Sequence, residues 1–208
     1  MIDFYTWTTP NGYKISIMLE ECGLDYAAHP VNIGAGEQFR PDFLKVSPNN
    51  KIPAIVDHDA EGGPVSIFES GAILVHLAER TGQFLPKAPA ARAETMKWLF
   101  WQVGGFGPIL GQFYHFTSED RQGTSPYAYQ RYRDESVRLF DVLEAQLSGR
   151  DFVAGDYSIA DMAIHPWAET VIDRLSRHVG KDWPDIRQWL AHVAERPAVG
   201  RGYQVPAV

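Results

Sequence analysis

Ser47-Pro48-Asn49-Asn50-Lys51-Ile52-Pro53-Ala54-Ile55-Val56-Asp57 runs from a polar loop into a short apolar strand, with a proline at the strand's entrance. Proline has no N–H to give a central ladder, so residue 53 marks where pairing begins. The trans preference of an X-Pro bond is small, and a cis Ile52-Pro53 bond is accessible. A cis bond there turns the Ile52 N–H and C=O outward, where an extended peptide-like ligand can pair with them as an added strand. Further along, Phe68-Glu69-Ser70-Gly71 ends a second short strand and opens a helix. Ser70 offers a hydroxyl and helix-start N–H groups, which suit a carboxylate, and Glu69 beside it suits a free amine. Taken singly, Pro53 is an edge-strand proline and Ser70 a helix cap. The two together, with Lys51 adjacent, describe a pocket for a small zwitterionic peptide.

Outward from that stretch, the elements fall into two kinds. Residues 1–5 alternate and read as a strand. Residues 6–12 form a Thr, Pro, Asn and Gly turn. A helix follows with Ile15, Met18, Leu19 and Cys22 on one face, stopped by Gly23. Residues 26–33 read as a second strand, 41–46 as a short helix, 53–57 and 65–68 as strands joined by a Gly-Gly-Pro turn, and 70–80 as a helix stopped by Gly82. The order βαβ, short helix, ββα is that of a thioredoxin-like half. Gly82, Pro86 and Pro89 mark a boundary, giving domains at 1–82 and 90–208.

Beyond the boundary every long segment reads as helix. The first covers 91–104 and is interrupted by Gly104, Gly105, Gly107 and Pro108, with a resumption over 109–116. Residues 126–147 form a long amphipathic helix. Ser158-x-x-Asp161 reads as a capping box on a helix running toward Leu175 with a bend after Pro166. A last helix covers 184–195, with Pro197 beyond its end. The fold class is therefore α/β plus all-α.

The chain has 208 residues, 45% of them hydrophobic, enough for two small domains with real cores. A net charge of -7 without a long basic run argues against nucleic acid or an anionic membrane as main partner. No leader pattern and no membrane-length apolar run is expected, which points to the cytoplasm. One cysteine permits no internal disulfide, and the seven histidines show no ligand spacing, so no metal is expected.

Thr9-Pro10-Asn11-Gly12-Tyr13-Lys14-Ile15, the proline-strand stretch, Phe68-Glu69-Ser70-Gly71-Ala72-Ile73-Leu74, Trp98-Leu99-Phe100-Trp101-Gln102-Val103-Gly104-Gly105 and Tyr157-Ser158-Ile159-Ala160-Asp161 together resemble a cytosolic glutathione transferase. The proline-strand motif marks only the superfamily. The Thr-Pro-Asn start and the Trp-Gln-Val-Gly-Gly run narrow the resemblance to the bacterial Nu class of glutathione-dependent disulfide-bond oxidoreductases. The resemblance implies a thioredoxin-like domain followed by an all-helical domain, a homodimer, and glutathione, reduced or oxidised, as cosubstrate with a small disulfide or electrophile. It implies that Asn11, Gln38, Lys51, Ile52, Glu69 and Ser70 bind glutathione, with Lys51 and Gln38 facing its glycyl carboxylate. It also implies that Arg131 reaches glutathione; a solvated helix arginine is the alternative.

The nucleophile follows from what the chain lacks. Cys22 closes a helix after Glu20 and Glu21, the reverse of the electropositive helix start that activates a thiol, and reads as structural. The helix start that a thioredoxin fold uses for its reactive cysteine falls at Thr8-Thr9-Pro10-Asn11 and has no thiol. It offers hydroxyls, an amide and N–H groups, all donors to a sulfur anion. Thr9 and Asn11 are thus the catalytic candidates, against a plain capping role. Tyr5 is the rival for the sulfur contact. Trp7 and the Gln112–Phe116 cluster are vaguer candidates for an electrophile pocket. The expected reaction is disulfide reduction by bound glutathione, with conjugation to apolar electrophiles or a non-catalytic glutathione-binding scaffold as alternatives.

Overall fold

The computed structural model describes residues 1–118, 123 and 125–208. Two compact units emerge: Met1–Pro86 with Ala194–Val208, and Lys87–Val193.

The first unit is built on a four-stranded sheet of β1 (Ile2–Thr6), β2 (Tyr26–Pro30), β3 (Ala54–Asp57) and β4 (Val65–Phe68), ordered β2-β1-β3-β4. β1 runs parallel to β2 and antiparallel to β3, and β3 runs antiparallel to β4. The period-2 rule appears in β1, where Ile2, Phe4 and Thr6 are buried and the residues between them are not. α1 (Pro10–Cys22) packs with α3 (Ser70–Thr81), and α2 (Pro41–Val46) lies against the β3–β4 pair. Gly23 and Gly82 close α1 and α3 in the left-handed conformation, as the sequence indicates. The Ile52-Pro53 bond is cis, and β3 begins at the next residue. Asp57, buried at the far end of β3, accepts hydrogen bonds from Arg80 and from His76 of α3, the latter at 2.8 Å, and so ties that helix to the sheet.

β2 is shorter than the expected 26–33. Val31 still gives its N–H to Thr6, but the Asn32 side chain then accepts from the Ala35 N–H and turns the chain into a 3-10 segment at Ile33–Ala35. A second 3-10 turn, Glu37–Phe39, carries Gln38.

The sequence reading ends the second domain at residue 208, whereas residues 194–208 pack with the first unit. They include a short helix, α9 (Pro197–Gly202), that the reading lacks. Its place comes from distant partners: Ser16 donates to the Gly202 carbonyl at 2.7 Å, Arg196 holds Glu21 through two nitrogens, and Tyr13 packs against Tyr203.

The helical unit holds α4 (Pro89–Trp101), α5 (Gly107–Phe116), α6 (Pro126–Leu147), α7 (Ile159–Val179) and α8 (Pro184–Ala194). The expected break at Gly104–Pro108 is absent. A π-helical turn over Gln102–Phe106 joins α4 to α5 without leaving the helix, since a π turn absorbs the extra backbone that a glycine-rich stretch allows. Pro108 falls in the first turn of α5, where its missing N–H costs nothing. The capping box at Ser158 and Asp161 is formed, and α7 continues through Pro166. The core runs from Trp101 through Phe106 and Phe140 to Trp183, with ring centroids 4.8, 5.4 and 5.0 Å apart in sequence. No helix of the described residues is long and apolar enough to cross a membrane.

Candidate functional site

Two helix starts and one loop converge in the first unit. At α1, Thr9 is the N-cap, its hydroxyl oxygen accepting the Gly12 N–H at 3.2 Å. Gly12 is required by close approach: a Cβ there meets the Trp7 carbonyl oxygen at 2.4 Å and Thr6 Oγ1 at 2.5 Å. The glycine lets the first turn of α1, with Asn11, press against the end of β1.

The loop is closed by its own polar groups. Ser47, fully buried, donates to the Lys51 carbonyl at 2.8 Å, and the Asn50 N–H bonds back to Ser47 across a turn with Asn50 at φ 49°. That turn delivers Lys51 and Ile52. The β1–β3 and β3–β4 ladders begin at Ala54, so Ile52 stands outside both. At α3, Glu69 is the N-cap with φ 74° and ψ 112°, a conformation costly for a side-chain-bearing residue. It holds Glu69 out toward solvent, with Asn49 Nδ2 at 3.5 Å from its carboxylate, while Ser70 beside it is buried.

Asn11, Lys51, Ile52, Pro53, Phe68, Glu69 and Ser70 line one cavity of about 150 Å³. The five candidates Asn11, Lys51, Ile52, Glu69 and Ser70 are thus brought together, from three separate segments of the chain. Two helix starts and an exposed lysine favour anions there, and Glu69 adds a carboxylate for a cation. Three other candidates are not in the cavity's wall. Thr9 precedes Asn11 by two residues and caps the helix. Gln38 sits on its 3-10 turn, where its side-chain Oε1 is buried and accepts no hydrogen bond among the described residues. Arg131 is an exposed residue of α6, in the helical unit.

The rival groups are placed for packing. Tyr5 stacks on His29 with centroids 4.9 Å apart and packs with Val31, Phe43 and Ala54, and burial, then Asp3, push its phenol above the usual range. Cys22 lies between Met18 and Thr81, and burial pushes its thiol up, away from a thiolate. Phe113 is fully buried in the helical core, and Tyr114 lies under the Arg174 guanidinium at 4.0 Å. No group of three or more His, Cys, Asp or Glu able to hold a metal occurs among the described residues.

Sequence reasoning missed Lys14. It is 2% exposed, and its Nζ donates to Ser70 Oγ at 3.3 Å, directly behind the cavity. The signal was present, because residue 14 is four before Met18 and shares the buried face of α1. Pro53 and Phe68 were read as strand residues and also line the cavity.

Residues 2–79 match the family described as the N-terminal domain of glutathione S-transferase, and residues 112–197 match its C-terminal domain. The chain is 50% identical over 205 residues to the disulfide-bond oxidoreductase YfcG of Escherichia coli K12, covering 97% of this chain and 94% of that one. Among solved structures, a glutathione transferase family member from Pseudomonas fluorescens, with two glutathione bound, superimposes with a TM-score of 0.94 at 45% identity, covering 99% of this chain and 93% of that chain. A glutathione transferase from Pseudomonas putida, with one glutathione disulfide bound per subunit, gives a TM-score of 0.94 at 44% identity, covering 99% and 91%.

Proposed function

We propose, from the premise that the chain belongs to the glutathione S-transferase superfamily and to its Nu-like group, that it is an enzyme reducing disulfides with glutathione. The observation that carries this is the single cavity joining two helix starts, Lys51 and Glu69. Its donor set fits glutathione: Ser70 with the α3 N–H groups for the glutamyl carboxylate, Glu69 for the neighbouring amine, and the Ile52 backbone for the peptide. Lys51 serves the glycyl carboxylate, and Gln38 donates to it through its amide N–H. The family resemblance adds Arg131 as a further residue for glutathione.

Glutathione supplies the thiol that Cys22 does not. Asn11 and Thr9, at the start of α1, hold that sulfur as its proton leaves, because hydroxyl, amide and N–H donors and the helix dipole all favour the anion. The cavity fixes the peptide so that the sulfur meets one sulfur of a disulfide in line. The disulfide bond breaks, one thiolate departs, and a second glutathione resolves the mixed disulfide. The balance is one disulfide and two glutathione giving two thiols and glutathione disulfide. A cytoplasm rich in reduced glutathione suits this stoichiometry, and we place the enzyme there. The family assignment also favours a homodimer, which light scattering would show as a particle of twice the chain mass.

The test is calorimetric. A hydrogen bond to a charged group contributes about 1.5–3 kcal/mol, so Ser70→Ala is expected to weaken glutathione binding about ten-fold or more. Unchanged affinity in a folded Ser70→Ala protein would remove the site.

A further inference from the structure

Lysine is almost never fully buried unless something compensates its charge, yet Lys14 is 2% exposed inside the first unit. Its Nζ reaches Ser70 Oγ at 3.3 Å, and Ser70 lines the cavity. An ammonium has donors and no acceptor. In that contact the Ser70 oxygen must accept, so the hydroxyl proton is turned away from Lys14.

We infer that Lys14 is a positioning residue for the ligand's carboxylate: it aims the Ser70 hydroxyl proton into the cavity and sets a positive charge behind it. The inference rests on the reading of this cavity as the glutathione site. Burial brings the Lys14 ammonium down to about 7, while the Glu69 carboxylate works in the other direction. Other charges on the elements packed against α1 have different work. His76 and Arg80 of α3 hold Asp57 of β3, and Arg201 of α9 holds Glu20. The Glu69 carboxylate acts on Lys14, and a ligand carboxylate at Ser70 adds to it. By linkage, a ligand that prefers charged Lys14 raises its pKa on binding.

The experiment compares glutathione with its analogue lacking the glutamyl α-carboxylate, 4-aminobutyryl-cysteinyl-glycine. Calorimetry is run on the parent and on Lys14→Met, which keeps the length and removes the charge, after thermal unfolding has shown that both fold. The parent is expected to prefer glutathione by more than about ten-fold. Lys14→Met should lose about ten-fold in glutathione affinity and keep its analogue affinity within about two-fold. A parent without preference overturns the site reading and this inference with it. A preference that Lys14→Met preserves, or an equal loss for both ligands, overturns the inference alone. Should Lys14→Met fail to fold, NMR of the lysine side chains in the parent decides. The Lys14 pKa should rise by about one pH unit with glutathione, matching a ten-fold preference for the charged form, and stay put with the analogue. No rise with glutathione overturns the inference.

Discussion

The Thr9 hydroxyl accepts the Gly12 backbone N–H at 3.2 Å, so a residue proposed to hold the ligand's sulfur also caps the helix that presents it. The two roles are compatible because a hydroxyl accepts through its oxygen and donates through its proton. Thr9→Ala should cost about 1 kcal/mol of unfolding free energy, the usual worth of a threonine cap, while Thr9→Ser stays within a few tenths. Urea unfolding of both variants measures it. Equal losses would show that the cap contributes nothing.

The π turn makes opposite demands on two nearby glycines. A Cβ at Gly107 meets Gln102 Nε2 at 2.6 Å and Trp167 Nε1 at 3.2 Å, whereas nothing lies within 4 Å of a Cβ at Gly104. Gly107→Ala is expected to destabilise by about 1–3 kcal/mol despite alanine's helix propensity. Gly104→Ala should stabilise by about 0.5–1 kcal/mol. Thermal unfolding would reverse this order if residues 102–106 formed a loop instead.

His165 gives the helical unit a pH dependence. Burial pushes its imidazole down to about 4, against the opposing hydrogen bond to the Leu190 carbonyl. The unfolded chain, with an imidazole near 6.5, binds the proton first as pH falls. Stability from this residue is therefore full above about pH 6.5 and lost on the way down to about 4, by about 3 kcal/mol. Urea unfolding of the parent and of His165→Gln, which has no such titration, should show their difference shifting by that amount between about pH 7 and pH 4. A difference that stays flat would place a charged or solvated imidazole there.

Much of the fold was legible because it is written in local rules. The βαβ and ββα order follows from periodicity, Gly23 and Gly82 from the left-handed conformation they adopt, and the Ser158–Asp161 box from spacing. α9 and the π turn were not legible. α9 is set by partners far away in sequence, Ser16 and Glu21 for residues 196–202, whereas a run of glycines that permits a π turn reads equally well as a helix break. The site divides in the same way. Asn11, Lys51, Ile52, Glu69 and Ser70 sit on motifs whose geometry brings them to one cavity. Gln38 and Arg131 carry no local pattern, and only the family resemblance singled them out. Lys14 was overlooked because a lysine is read as surface, although its place on the apolar face of α1 said otherwise.

The central claim is that the ligand brings the thiol and the start of α1 holds it. Steady-state reduction of hydroxyethyl disulfide, coupled to glutathione reductase, tests it on the parent, Cys22→Ser and the double variant Thr9→Ala with Asn11→Ala. The account predicts that Cys22→Ser keeps most of its kcat, and that the double variant loses about ten-fold or more in kcat with little change in glutathione affinity. A folded, glutathione-binding Cys22→Ser protein without activity, or a double variant with parental kcat, would contradict it.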